Sequence, residues 1–222
     1  MSLQSMHLRK LLKIIYLEGA QRTSELRADI RADIARERGD ASDGGGDFYG
    51  PFWRDAKDHV FGITDLRDQT RIRIESNAGR ANLYGQLRDG FLLWWDERRR
   101  WTNEPFRLAQ AMKTACRVPN VDAEIKVANI LSVRDGRDED HFVYPYWFPQ
   151  PPLNEESARV ALSILCRAFP NVDIADLRLL DVIRGQTYSL DRNPLRGDEE
   201  QIFTRRFNSA LTQWQVLRRE YD

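Results

Sequence analysis

From Val121 to Pro152 the chain reads VDAEIKVANILSVRDGRDEDHFVYPYWFPQPP, and polar and apolar positions alternate along most of it. Ile125, Val127, Leu131 and Val133 alternate with Glu124, Lys126, Ala128 and Ser132. Successive side chains of a strand point to opposite faces, so this period predicts a half-buried strand. Asn129 falls on its apolar face and would need a hydrogen-bond partner there. Phe142, Tyr144, Tyr146 and Phe148 alternate with His141, Val143, Pro145 and Trp147, a composition that suits a pleated surface. Arg134 to Asp140 carries the turn dipeptide Asp135-Gly136, so the two runs predict a β-hairpin. Pro145 cannot donate to a ladder, which predicts a second strand that is an edge or ends early.

Elsewhere the period is helical. Leu8, Leu11, Leu12 and Ile15 predict a helix that Gly19 ends. Leu26, Ile30 and Ile34 predict a second, capped by Thr23 or Ser24. Residues 39–50, with Gly44-Gly45-Gly46, read as a flexible linker. Phe52, Trp53, Ala56 and Val60 predict a short helix after Pro51. Ile72 and Ile74 fit a strand or a helix. Leu83, Leu87, Phe91 and Trp94 or Trp95 predict a long helix over 76–100, in which Gly79, Gly85 and Gly90 mark a close approach or a break. Phe106, Leu108, Ala109, Met112 and Cys116 predict another helix between Pro105 and Pro119. Asn154 caps a helix with an apolar face from Ala158 to Phe169. LRLLDVIR, 177–184, predicts a third strand. Phe203, Phe207, Ala210, Trp214, Leu217 and Tyr221 form the seam of a terminal helix opened by Asp198 and Gln201. That seam docks on the protein's own sheet or, failing that, joins two copies.

These elements predict an α+β, helix-rich fold, with a helical N-terminal half and a small C-terminal sheet of hairpin, helix and third strand. The expected regions are a helical hairpin over 1–38, the linker over 39–50, a mainly helical part over 51–120 and a ββαβα part over 121–222, the last two forming either two regions or one domain.

Composition narrows the classes. The 222 residues carry 34 Lys and Arg against 34 Asp and Glu, so net charge is zero and no global excess marks a polyanion binder. Five of the cations are lysine, so local cationic surface will be arginine, which suits bidentate phosphate and carboxylate contacts. No apolar run is long enough for a membrane span, and the early one lacks a signal-peptide pattern. Two cysteines, Cys116 and Cys166, give no disulfide framework, and a cytoplasmic location is expected.

Several groups can carry chemistry. Glu124-Ile125-Lys126 on a strand resembles the second half of the PD-(D/E)xK nuclease signature, and Asp122 lies nearby. That resemblance implies carboxylates holding Mg²⁺ and a lysine steadying charge on the phosphate or orienting water. The family's Pro-Asp dipeptide is absent from the chain. LLKIIYLEGAQRTSELRADI resembles the first two helices of a helix-turn-helix module, which requires a third, groove-reading helix that the linker interrupts. Arg98, Arg99, Arg100 and Trp101 mix cations with an aromatic ring, as in nucleic-acid binders, or else form the rim of a tryptophan core. Tyr144, Tyr146, Trp147 and Phe148 can present an aromatic surface to a partner. Asp135, Asp138, Glu139, Asp140 and His141 are ligand types without the ordered spacing of a calcium loop. No C-x-x-C zinc pattern or nucleophile elbow occurs.

The functional expectation is a non-catalytic, cytoplasmic, bacterial interaction protein working in a complex with a protein partner, without a cofactor. The first alternative is nucleic-acid binding through the N-terminal helices and the arginine rim. The second is a divergent Mg²⁺-dependent nuclease centred on Glu124 and Lys126.

Overall fold

The computed structural model describes residues 2–40 and 47–221, so the triple-glycine run of the linker lies outside them. The strands are β1 (Ser5–His7), β2 (Arg107–Leu108), β3 (Thr114–Arg117), β4 (Glu124–Val127), β5 (Leu131–Arg134), β6 (Asp140–Tyr146), β7 (Leu177–Asp181) and β8 (Gln186–Tyr188). The helices are α1 (Leu8–Tyr16), α2 (Gly19–Glu37), α3 (Tyr49–Val60), α4 (Leu66–Ser76), α5 (Ala81–Leu92), α6 (Glu155–Ala168) and α7 (Glu199–Arg218). The fold is mixed α+β with a long C-terminal helix. No helix among the described residues is long and apolar enough to cross a membrane.

Two sheets divide the run that alternation joins into one strand. β4 is the centre of a three-stranded sheet, parallel to β1 and antiparallel to β3. β5 belongs to a five-stranded sheet in the order β2-β5-β6-β7-β8, in which only β6 and β7 are parallel. The break falls at Asn129, whose φ of 65° lies in the left-handed region that asparagine tolerates. Its side chain is exposed instead of facing the core, and its carbonyl accepts a 2.6 Å bond from Trp53 Nε1. The β5–β6 hairpin is present, with Leu131 opposite Val143 and Arg134 opposite Asp140. β6 is not an edge strand. It lies between β5 and β7, but β5 ends opposite Val143, so Pro145 sits where β6 has a neighbour on one flank alone.

The region 105–119 is a second correction. It is extended, forming β2 and β3, where apolar spacing predicts a helix. Arg107 and Leu108 pair with Arg134 and Val133, and Thr114 to Arg117 pair with Val127 to Glu124. The long helix expected over 76–100 is three pieces: the end of α4, a 3₁₀ turn at 78–80, and α5 running into a π-helical turn at 93–98. Gly79 sits in the 3₁₀ turn, while Gly90 marks the close approach. A Cβ at Gly90 would fall inside contact distance of the Val182 and Ile183 carbonyl oxygens. Ile72 and Ile74 lie on the helix α4. Gly19 opens α2 with φ of 52° rather than ending α1, whose last residue is Tyr16.

α6 is capped as its sequence suggests, with Asn154 and Ser157 forming a reciprocal capping box. At α7 the cap is different: Asp198 makes no side-chain cap bond, and the Glu199 carboxylate accepts from the Arg196 and Gly197 amides instead. The seam from Phe203 to Leu217 is buried, and α7 packs on α1, α2 and α6 rather than on a sheet. β1 pairing with β4, and α1 packing on α6 and α7, bring the N-terminal residues into the same hydrophobic core as the C-terminal half.

Candidate functional site

The last two strands leave an edge, and arginines gather along it. β8 has β7 on one side alone, so its outer main-chain groups face away from the sheet. The segment after it, 189–197, turns back toward the first turn of α6. Around this edge lie three neighbouring hollows of about 510, 250 and 40 Å³. Arg192 borders all three. Taken together the hollows are lined by six arginines, Arg98, Arg100, Arg159, Arg178, Arg192 and Arg196, against two acids, Glu155 and Asp191. In a chain of zero net charge this is a concentrated positive surface.

The π-helical turn after α5 and the β7–β8 turn place these side chains. Arg98 donates to the Arg184 and Gly185 carbonyls at 3.1 and 3.3 Å, which ties the turn to the β8 edge. Gly185, at φ of 56°, lets the Gly90 carbonyl and the start of that turn pass close by. Arg100 pairs with Asp191 at 3.2 Å. Arg178 on β7 donates to the Asp176 carbonyl, and burial pushes its guanidinium below its ordinary value. The Arg192 side chain makes no hydrogen bond or ion pair among the described residues. Gln186, Thr187 and Asn193 add neutral donors and acceptors to the widest hollow.

Arg99, next to these arginines in sequence, lines none of the three hollows. The Arg99 guanidinium lies 3.8 Å from the Trp95 ring centroid and 4.3 Å from that of Phe106. Trp101 is buried and stacks on the His141 ring at 4.3 Å, with the planes 7° apart. Trp94 and Trp101 therefore floor the narrow hollow without a free face for a base to stack on.

His141 leads to a second cluster. Asp135, Glu139 and His141 bring one ligand atom each within 4.8 Å of one another, the only such group of three among the described residues. Asp135 is fully buried at the hairpin tip. One of its oxygens accepts from the Arg137 and Glu139 amides at 2.8 and 3.1 Å, and the other from Asn103 Nδ2 at 3.1 Å. Burial opposes its charge, but these bonds outweigh it and hold the carboxyl down to about 2. His141 Nε2 is 3.4 Å from the same carboxylate, and burial pushes the imidazole below its usual value. The carboxylate's acceptor sites are filled by the turn itself, so this cluster organises the hairpin.

Glu124, Lys126 and Asp122 lie on or beside β4, on the exposed face of the three-stranded sheet. Asp122 accepts from Gln4 and Glu124 from Ser5, and His7 stands opposite Lys126. Neither acid belongs to the one cluster with metal-ligand spacing. Tyr144, Tyr146, Trp147 and Phe148, expected as a docking surface, are all buried. Arg9 of α1 explains much of this. Its guanidinium packs over the Tyr144 and Trp147 rings and donates to the Ala128 carbonyl and the Tyr144 hydroxyl. Tyr49 and Trp53 of α3 pack on Trp147 from beyond it. α1 itself is buried along most of its length. The large apolar side chains that remain exposed, such as Ile63, Leu108 and Val216, sit on separate segments.

Arg178, Arg192 and Arg196 were not singled out by sequence because they are isolated in it. Proximity to Arg98 and Arg100 comes from the β7–β8 turn and the loop after it. No protein-family model, curated protein or solved structure matches this chain.

Proposed function

We propose that the protein binds a nucleic-acid strand along the β8 edge, reading its phosphate backbone. The observation that carries this is the convergence of six arginines on three neighbouring hollows in a chain of zero net charge. Guanidinium groups meet phosphate oxygens bidentately, and backbone contacts of this kind give affinity without sequence preference. With the tryptophans of the floor turned inward, stacking contributes little, and the neutral groups of the widest hollow are left to meet sugars and base edges. What favours this over a protein-docking role is that the candidate aromatic surface is consumed by the core. The free thiols of Cys116 and Cys166 accord with a cytoplasmic setting.

The test is a fluorescence-anisotropy titration with labelled single- and double-stranded oligonucleotides between 50 and 200 mM salt. If the groove meets about four phosphates of a single strand, the slope of log K against log salt is about −3, and affinity falls about 50-fold over that range. Absence of binding at low salt, or binding indifferent to salt, refutes the reading.

A further inference from the structure

Beside the widest hollow, a smaller one is lined by a buried guanidinium held by ion pairs and not by hydrogen bonds. This hollow, about 250 Å³, is lined by Glu155, Arg159, Arg192, Asn193, Pro194 and Arg196. Arg159 of α6 is 5% exposed, and its Nε and Nη1 make no hydrogen bond among the described residues, nor does the Asp198 Oδ1 that faces it. Its nearest anions are Glu199 at 3.5 Å and Asp198 at 3.7 Å. Glu199 is already engaged by two main-chain amides, at 2.8 and 3.0 Å. Buried donors without hydrogen bonds are costly, and the donors of a guanidinium form a fork that matches a phosphate. Arg192 and Arg196 bring two more guanidiniums to the same small space. Glu155 opposes them at the rim, 3.9 Å from Arg196.

We propose that this hollow receives a terminal phosphomonoester of the strand bound in the groove, an inference that rests on the groove reading above. Its volume lies below the roughly 300 Å³ at which pockets for drug-sized ligands begin, so it suits a single small group. It lies against Arg159, with Asp198 and Glu199 at the start of α7 beside that residue. A terminal phosphate also carries more than one negative charge near neutral pH and three terminal acceptor oxygens. An internal phosphodiester carries one charge and two such oxygens. Three arginines match the terminal group better.

The experiment compares internally labelled oligonucleotides of one sequence carrying a 5′-phosphate, a 3′-phosphate or neither, by anisotropy against the full chain. A phosphate at one end is expected to tighten binding about tenfold. Arg159→Gln and Arg196→Gln are each expected to cut that gain, taken as the ratio of phosphorylated to unphosphorylated affinity measured on the same variant, to about threefold or less. Thermal melts accompany both variants. Arg196 is exposed at the mouth, so Arg196→Gln decides the matter if Arg159→Gln unfolds. Salt-sensitive binding with no gain from either phosphate overturns the terminal subsite and leaves the groove in place. No binding of any strand overturns both.

Discussion

Reversing two charges in the groove, Arg98→Glu with Arg192→Glu, is expected to weaken oligonucleotide binding about 100-fold at 100 mM salt while leaving the fold intact. The two residues border the widest hollow together, and Arg192 touches all three. Each change removes a phosphate contact and places a like charge beside the backbone. Losses of about 1.4 kcal/mol at each position give the 100-fold figure. The fold should survive because the Arg192 side chain has no partner within the described protein. Arg98 gives up two bonds to carbonyls near the surface. Circular dichroism and a thermal melt provide the control. Unchanged affinity in a well-folded double variant would remove the β8 edge from the account.

Asp135→Ala is expected to destabilise the protein by about 4 kcal/mol, lowering the melting temperature by roughly 10 °C in a chain of this size. The side chain is completely buried and collects the Arg137 and Glu139 amides, the Asn103 amide and the edge of His141. Removing it leaves donors without acceptors in a closed turn and takes the anchor from the segment carrying Trp101. Acid should act on the same group. Its carboxyl is held at about 2 when folded, below its unfolded value, so its contribution is complete above about pH 5 and fades as pH falls toward 2. Melting temperatures recorded from pH 7 to pH 2 should therefore fall for the parent protein, and its lead over Asp135→Ala should narrow by about half toward the acid end. A gap that stays constant with pH would mean the charge contributes nothing.

How much of this was readable in sequence depends on whether local pattern or long-range pairing decided the outcome. The β5–β6 hairpin, the capped α6 and the seam of α7 were legible because each rests on neighbours in sequence, namely an Asp-Gly turn, an Asn154 cap and steps of three and four. Even there the reasons shifted. Gly136 matters because the Glu104 carbonyl passes where a side chain would stand, while the left-handed residue of the tip is Asp138. β3 was illegible because its partner β4 lies across a turn that its own apolar spacing does not announce. Thr114, Cys116 and their neighbours fit a helix as well as a strand until β4 is beside them. β1 is three residues long and pairs with β4 from more than a hundred residues away. The aromatic run from Tyr144 to Phe148 fitted a strand with a rigid exit and also a partner surface, because no local signal says that α1 will deliver Arg9 onto it. Of the groove, Arg98 and Arg100 stood out as part of a charged cluster. Arg178, Arg192 and Arg196 are spread over β7 and the loop after β8, and folding alone brings them together.

The most direct test of the groove is to ask where a bound strand lies. A single-stranded oligonucleotide substituted with 4-thiouridine at every third position, cross-linked at low salt and mapped by mass spectrometry, answers it. The account predicts cross-linked peptides from 186–197 and from 98–101, with little from elsewhere. Cross-links concentrated on the exposed face of β1, β4 and β3, around His7, Arg117 and Lys126, would contradict it and move the binding surface to the other sheet.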